Sequence, residues 1–170
     1  MRLDLTEKTF EIERLPLGHY KKWIGGRGLN AEILKTTAHG NPLCFAAGAL
    51  AGTFAPLAGR TVIHAFSPHN GLSSKTLFPG EGHAILEDAF GPHMKYAGYD
   101  QIIVLGRSKT PVFVFIDDDR IEFRQAKHLR GESIKKTVIR IQEELGSPDL
   151  DMAVIGPRVN RCSASRTFTA

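Results

Sequence analysis

The chain has 170 residues, 42% of them hydrophobic, which is enough to bury a core without disulfides or metal staples and excludes a disordered protein. Its 22 Lys and Arg residues against 18 Asp and Glu residues give a net charge of +4 and a pI near 9.2. This excess is too mild to indicate a nucleic-acid partner. We expect a single domain over residues 1–170.

The cysteines and the amino terminus further restrict the class of protein. Cys44 and Cys162 are far apart and outside any Cys-x-x-Cys pattern. This spacing argues against a disulfide framework and against a complete iron–sulfur or zinc site made by this chain alone. Acidic residues occur too early for a signal peptide, and no apolar run approaches membrane-spanning length. The sequence therefore predicts a reduced, cytoplasmic protein with no membrane partner.

The first residues predict a hairpin followed by two helices. Residues 2–5 and 9–15 each alternate apolar and polar side chains, which is typical of paired strands. A short helix is predicted over residues 19–24, and an apolar stripe at helical spacing predicts a second over residues 29–35. Between the helices lies the glycine box, residues 25–28, with the sequence Gly-Gly-Arg-Gly.

The glycine box permits two interpretations. Exposed N–H groups at the start of a helix, together with the guanidinium of Arg27, would form a site for an anion such as a phosphate. Alternatively, the glycines cap the first helix and let the second turn away. The box is not a dinucleotide-binding fingerprint, because it lacks the third glycine and follows a predicted helix rather than a strand.

The middle of the chain predicts two strands joined by a loop of small residues. Residues 43–47 and 61–66 are the strands, and residues 48–59 are rich in Gly and Ala. Such a loop either lets another molecule approach the backbone or is an ordinary connection. Residues 72–82 are predicted to form a polar loop. The spacing from Ile85 onward predicts a helix that Gly91 and Pro92 kink.

The last third predicts a hairpin, a helix and a final strand. Strands are predicted at residues 102–106, 112–116 and 121–124, the last two joined by an acidic turn without the ligand spacing of an EF-hand calcium loop. A Ser133-capped helix should bury a stripe of four apolar side chains: Ile134, Val138, Ile141 and Leu145. Residues 152–155 predict another strand, and residues 162–169 alternate weakly.

The order of these elements predicts an α+β fold made of two related hairpin-helix-strand half-units. A hairpin, a helix, an apolar strand and a glycine turn occur in this order at the start of the chain and again about 110 residues later. Consecutive hairpins favour mostly antiparallel sheets with helices packed on them over a doubly wound parallel fold.

The residues that could bind a ligand are confined to glycine-rich turns and cationic side chains. The seven histidines are scattered without a His or Cys at metal-ligand spacing, and the serines lack a nucleophile-elbow context. No metal site is therefore predicted, and no acid, base or nucleophile is evident. The residues that could surround a flat, anionic molecule are the glycine box with Arg27, then Arg60, Lys75, Gly80, Gly82 and His83.

Several short motifs occur in a definite order along the chain. They are the glycine box with Leu29, residues 45–53 (FAAGALAGT), Ala55-Pro56, Gly59-Arg60, Ser67-Pro68, Phe90-Gly91, residues 95–100 (KYAGYD), residues 112–117 and Ile155-Gly156-Pro157. Each motif is weak by itself. Their order and spacing together resemble the amino-terminal domain of the tungsten-containing aldehyde ferredoxin oxidoreductases, over nearly the whole chain.

The resemblance implies a base of antiparallel sheets on which a bis-pyranopterin cofactor of tungsten, or of molybdenum, rests. Enzymes of that family oxidise aldehydes to carboxylic acids and pass electrons to ferredoxin through an iron–sulfur cluster held by later domains. Arg60 matches the arginine that reaches the pterin, a role that its planar donors suit. The glycine box with Arg27 would be a structural or phosphate-facing turn.

Residues 71–90 depart from the family pattern. The family has a compact Asn-x-Gly-Gly segment touching the pterin there, whereas the corresponding segment of this chain is longer and lacks that Asn. Gly80, Gly82 and His83 are the candidate cofactor contacts within this segment.

The resemblance also implies partners. We expect a second chain or domain to supply the cluster cysteines, with ferredoxin reached indirectly and a homo-oligomer compatible with this arrangement. Without that partner the chain is not expected to catalyse. Two alternatives stay open: a non-catalytic, stand-alone relic or carrier domain, and a basic nucleotide or nucleic-acid binder.

Overall fold

The computed structural model describes residues 1–37, 42–67, 80–86 and 89–157. The chain divides after Arg107 into two compact units. In the described ranges, the first unit contains a six-stranded sheet with three helices, and the second contains a two-stranded sheet with one α-helix. Among the described residues, no helix is both long enough and apolar enough to cross a bilayer.

The sheet of the first unit is mixed but mostly antiparallel. Its strands are β1 (Arg2–Asp4), β2 (Thr9–Glu11), β3 (Leu43–Ala47), β4 (Thr61–Ser67), β5 (Gly80–Leu86) and β6 (Gln101–Leu105). They lie in the order β2-β1-β6-β3-β4-β5, in which β1 runs parallel to β6 and the other described pairs are antiparallel. The predicted amino-terminal hairpin is confirmed as β1 and β2, although both strands are shorter than expected.

Three helices belong to the first unit: α1 (Leu17–Trp23), α2 (Gly26–Thr36) and α3 (Phe90–Tyr96). Helix α2 packs on β3 and β4 and buries Leu29 and Leu34. Leu34 joins Cys44 and Ile103 in one apolar cluster, which places the core between α2 and the centre of the sheet. The apolar stripe that the sequence predicts for this helix is therefore its buried face.

A polar side chain on α2 links the helix to the sheet. The fully buried Asn30 donates through Nδ2 to Val62 O at 2.8 Å and to Cys44 O at 3.3 Å. Its Oδ1 accepts from Gln101 Nε2 at 2.9 Å. Both amide donors and the amide acceptor of Asn30 are thus satisfied by β3, β4 and β6, which is the condition for burying such a group without penalty.

The structure corrects the prediction for residues 80–98. Residues 80–86 form strand β5, paired with β4, instead of the end of a loop and the start of a helix. Helix α3 begins only at Phe90, so Pro92 lies in its first turn. Backbone N–H groups there have no partner within the helix, and Pro92 therefore starts the helix without kinking it. Most of the predicted loop, residues 72–79, lies outside the described residues.

The second unit matches its prediction more closely. Strands β7 (Val112–Asp117) and β8 (Arg120–Gln125) form an antiparallel hairpin, and a short 3₁₀ helix (Lys127–Leu129) leads to α4 (Ile134–Leu145). Ser133 caps α4 by accepting from Lys136 N. The core consists of Phe113, Ala126, Leu129 and Ile141. Of the predicted stripe, Ile141 is buried, Val138 and Leu145 are half-buried, and Ile134 is exposed.

The fold class is confirmed at the level of a mixed α+β protein with mostly antiparallel sheets. The two related half-units are not confirmed. Residues 152–155 were predicted to be the strand equivalent to β3, and this is wrong, because they pair with no strand in the described part of the chain. The weak alternation predicted over residues 162–169 lies outside the described residues.

Burial makes Cys44 an unreactive thiol. Its side chain is fully buried on β3, and desolvation raises the pKa of the Cys44 thiol to about 12. Because the thiolate is the reactive form, we expect native Cys162→Ser protein to react with a thiol reagent at pH 8 about a thousandfold more slowly than the same protein in denaturant. Absorbance of the released chromophore measures both rates. Rapid labelling of the native protein would contradict the burial of Cys44.

Candidate cofactor-binding surface

The glycine box reverses the chain between α1 and α2. Helix α1 ends at Trp23, and Ile24 follows in the left-handed conformation at φ 62°, donating its N–H to Tyr20 O at 2.8 Å. Gly25 is the N-cap of α2 at φ 132° and ψ −169°, and Gly26 has φ 51°. The box therefore starts α2, and the exposed Arg27 lies in its first turn.

Close packing accounts for two glycines of the box. A Cβ atom built on Gly25 would lie 3.0 Å from Ala49 N and 3.1 Å from Ala47 O. A Cβ atom on Gly28 would lie 2.9 Å from Trp23 O. These contacts support the structural interpretation of the box, in which α2 turns against the end of β3. The anion-binding interpretation stays a prediction.

Arg60 lies at the mouth of the loop between β3 and β4. It is exposed and comes directly before β4. Behind it, a Cβ atom built on Gly91 would lie 2.7 Å from Gly59 O and 2.6 Å from Thr61 Oγ1. The first turn of α3 is therefore packed directly on the backbone that carries Arg60, and only a glycine at position 91 allows this approach.

The register brings the two candidate arginines to the same end of the sheet. Ala47, the last residue of β3, pairs with Thr61, the first residue of β4. Gly25 contacts the backbone just beyond Ala47, and the Cβ position of Gly26 is 3.7 Å from Val62 Cγ2. Arg27 and Arg60 thus both lie where β3 ends and β4 begins. We call this region the β3–β4 end.

A polar cluster that the sequence did not predict lies beside the β3–β4 end. Lys95 Nζ bonds to Asp100 Oδ1, and it lies 5.9 Å from the centre of the Tyr20 ring. Asp100 O also accepts from Ala47 N at 3.2 Å. Burial, followed by the Asp100 carboxylate, raises the pKa of Tyr20, so that its phenol stays protonated.

The sequence indicates only part of this cluster. Lys95 and Asp100 both stand in the KYAGYD motif, but nothing in the sequence connects them to Tyr20. Their contact depends on how α1 and α3 pack, which local periodicity does not report.

The remaining candidate residues lie elsewhere on the sheet. Gly80 pairs with Ser67 at the far end of β4 from Arg60, and strand geometry makes that separation roughly 20 Å. Gly82 pairs with Ala65, and the exposed His83 pairs with the buried His64, with 5.7 Å between the two ring centres. The structure thus divides the predicted site into two groups, Arg27 with Arg60 and Gly80 with Gly82 and His83.

Neither arginine lines the cavity described in the first unit. That cavity has a volume of about 180 Å³ and lies between residues 12–16 and the start of β6. It is smaller than typical ligand pockets, which measure roughly 300–1,000 Å³. Within the described ranges, no three His, Cys, Asp or Glu side chains are placed to hold a metal ion. At the β3–β4 end, Arg27 and Arg60 are exposed to solvent beside the closely packed Gly25 and Gly91.

Comparisons with known proteins agree with the family that the order of the motifs indicated. Residues 1–168 match the family model described as "Aldehyde ferredoxin oxidoreductase, N-terminal domain". The fold and this match together define the class of the chain, an amino-terminal domain of oxidoreductases. The chain belongs to the aldehyde ferredoxin oxidoreductase family, which confirms the resemblance.

The relatives are much longer than this chain. Tungsten-containing aldehyde ferredoxin oxidoreductases from Pyrococcus furiosus and Thermococcus kodakarensis are 34% and 36% identical over 92% of this chain, but the match covers only 26% of each relative. An aliphatic sulfonate oxidoreductase, WOR-like subunit, from Pyrococcus furiosus is 33% identical over 84% of the chain and 24% of the relative. The chain thus spans about a quarter of these proteins.

A solved structure shows the same fold in a third enzyme. The chain superposes with a TM-score of 0.79 and 32% identity on the active site complex BamBC of benzoyl coenzyme A reductase, solved with 1,5-dienoyl-CoA. The likeness covers 87% of this chain and 23% of that chain.

Proposed function

We propose that this chain is the cofactor base of an oxidoreductase with a bis-pyranopterin tungsten, or molybdenum, centre. A second chain or domain would supply the iron–sulfur cluster and enclose the substrate. The observation that carries the proposal is the match of residues 1–168 to the amino-terminal domain of a family whose members are about four times longer.

The residues of the β3–β4 end fit such a cofactor. Arg27 and Arg60 are exposed guanidinium groups, whose planar, permanently charged donors suit the phosphate and ring oxygens of a pyranopterin. A Cβ atom on Gly48 would meet no atom within 4 Å, so the backbone just beyond β3 is uncrowded at this residue. Gly82 and His83 on β5 would form a separate, secondary contact.

When bound, the metal–dithiolene centre supplies the redox chemistry that converts an aldehyde to a carboxylate, with the electrons passing to ferredoxin through the cluster. The role of this chain is to bind and orient the cofactor. Arg60 would hold the pterin from the start of β4, and the Gly91 contact would keep the Arg60 backbone in place. Arg27 would hold an anionic oxygen at the first turn of α2.

The relatives differ in the substrates that their names give. The chain is 32–36% identical to relatives whose names refer to aldehydes, to aliphatic sulfonates and to benzoyl coenzyme A. Because the chain is about equally identical to enzymes with different named substrates, the matched region is better explained as a shared cofactor-binding base than as a substrate-specific part. We infer that protein outside the region shared with these relatives selects the substrate, with an aldehyde as the first candidate.

The test is cofactor content in the complex isolated from its native source. Arg60→Ala should retain roughly tenfold less tungsten or molybdenum and pterin than the parent, because a charged hydrogen bond is worth about 1.5–3 kcal/mol. Metal analysis and the fluorescence of oxidised pterin measure this without any assay of activity. Arg60→Lys should fall between the two, since it keeps the charge but not the planar donors.

Arg107→Ala is the matched control. Arg107 is exposed and follows β6, at the opposite end of the sheet from Ala47, so its loss should leave cofactor content unchanged. Equal cofactor in the Arg60→Ala variant and the parent would remove Arg60 from the site. A parent complex without metal or pterin would favour the non-catalytic alternative.

A further inference from the structure

The loop between β3 and β4 presents apolar side chains to solvent. Phe54 is fully exposed, Leu57 is 92% exposed and Leu50 is 59% exposed. Ile24 is 71% exposed, and it precedes Gly25, whose Cβ position is 3.0 Å from Ala49 N beside Leu50. We call these four residues, Ile24, Leu50, Phe54 and Leu57, the apolar loop surface.

Hydrogen bonds hold this loop in one shape. Thr53 N and Oγ1 donate to Leu50 O at 3.1 and 2.7 Å, and Ala51 N donates to Gly48 O at 3.1 Å. From outside the loop, Tyr96 OH donates to Gly52 O at 3.0 Å, and its ring lies against Gly52. The apolar side chains are therefore displayed by an ordered loop, which lowers the entropy cost of binding a partner.

Backbone strain occurs at two of the four residues. Ile24 and Leu57 adopt left-handed conformations at φ 62° and 59°. Branched side chains seldom adopt this conformation, which costs of order a kcal/mol and tends to persist where the strained geometry serves a function. At Ile24 this conformation also ends α1, so the strain at Leu57 is the part that supports a role for an exposed side chain.

We propose that the apolar loop surface is where a second chain, carrying the cysteines of the iron–sulfur cluster, docks. The inference rests on the proposed function and adds the location of the interface. In the relatives about three quarters of the chain lies outside the matched region, and a second chain of that size would be large enough to cover this surface. The loop has no charged residue from Gly48 to Gly59, which suits an apolar protein surface.

The size of the surface is adequate for the centre of an interface. At roughly 100 Å² of apolar area for each side chain, the four residues would bury about 400 Å². This is comparable with the largest apolar patches on monomeric proteins, which are often binding sites. Phe54 would be the aromatic anchor, a residue type enriched at the centre of interfaces.

The experiment is co-purification of the tagged chain from its native source, with mass spectrometry to identify a partner that has the family's cluster cysteines. The double variant Phe54→Ser, Leu57→Ser should recover at least tenfold less of that partner than the parent. Ile139→Ser is the control, because it removes an exposed apolar side chain from α4 and should recover as much as the parent. Circular dichroism and the melting temperature check that all three proteins are folded.

Each outcome decides the proposal. Equal recovery with the double variant would overturn docking through the loop while leaving the proposed function intact. A parent that recovers the partner without tungsten, molybdenum or pterin would refute the proposed function while leaving the docking site. A parent that recovers no such partner would overturn the proposal. Dimers in sedimentation velocity would then assign the surface to self-association, and flotation with phosphatidylcholine–phosphatidylglycerol vesicles would assign it to lipid binding.

Discussion

Asn30→Asp is expected to lower the free energy of unfolding by roughly 3–5 kcal/mol at pH 7, although the two side chains are nearly identical in shape. The Asn30 amide donates to the carbonyl oxygens of Val62 and Cys44 in a fully buried position. A carboxylate would turn an acceptor toward these two acceptors, with no water to solvate its charge.

Urea unfolding followed by far-UV circular dichroism measures this effect. Gln125→Glu is the control, because it makes the same change of amide to acid on an exposed side chain of β8 and should stay within about 0.5 kcal/mol of the parent. Burial should raise the pKa of the introduced carboxyl, so the deficit should shrink as the pH falls toward about 4. An Asn30→Asp protein as stable as the parent would show that the network contributes little.

Gly25→Ala should cost about 3 kcal/mol, from two causes that add. The backbone of Gly25, at φ 132° and ψ −169°, occupies a region that is essentially restricted to glycine. The new methyl group would also lie 3.0 Å from Ala49 N and 3.1 Å from Ala47 O, and these backbone atoms belong to the end of β3 and the loop beyond it.

Gly18→Ala provides the comparison for this variant. Gly18 lies in α1, and a Cβ atom there would meet no atom within 4 Å. The substitution should be neutral or stabilise the protein by up to about 1 kcal/mol, since alanine favours helix over the unfolded chain. Thermal melts of both variants would separate a local requirement at position 25 from a general effect of replacing glycine. Equal melting temperatures for the two would contradict the packing described here.

Elements with a strong local signal were predicted correctly from the sequence. The apolar runs at residues 43–47 and 61–66 became β3 and β4, and the alternation before and after the acidic turn became β7 and β8. Helix α4 carries its own boundaries, with Ser133 as N-cap and Gly146 at φ 67° as C-cap. In each case the residues that determine the element lie within it or beside it.

Two predictions failed where the deciding partner is distant in sequence. Ile85 and Leu86 show helical spacing with Ala89 and Phe90, yet residues 80–86 pair with β4 and form β5. Residues 152–155 have a strand-like composition, but no described strand pairs with them. A short apolar run fits either state, and tertiary pairing decides between them.

The candidate site shows the same division. Arg60 and Arg27 were chosen from composition and from motif order, and nothing in the sequence indicated that both lie at the β3–β4 end. That placement follows from the pairing of Ala47 with Thr61 and from the contact of Gly25 with the end of β3. The same pairing places Gly80 at the other end of β4.

The sequence alone determined the family, the α+β class and the strands and helices with a strong local signal, and it gave Arg60 as a candidate cofactor contact, which stays a prediction. Only the tertiary structure decided which ends of the strands meet, that Asn30 joins α2 to the sheet, that Lys95 bonds to Asp100 beside Tyr20, and that Leu57 and Phe54 are exposed. The physical reason is the distance along the chain over which each effect acts. Propensity, capping and periodicity act over a few residues, whereas register and side-chain networks join residues that are tens of positions apart.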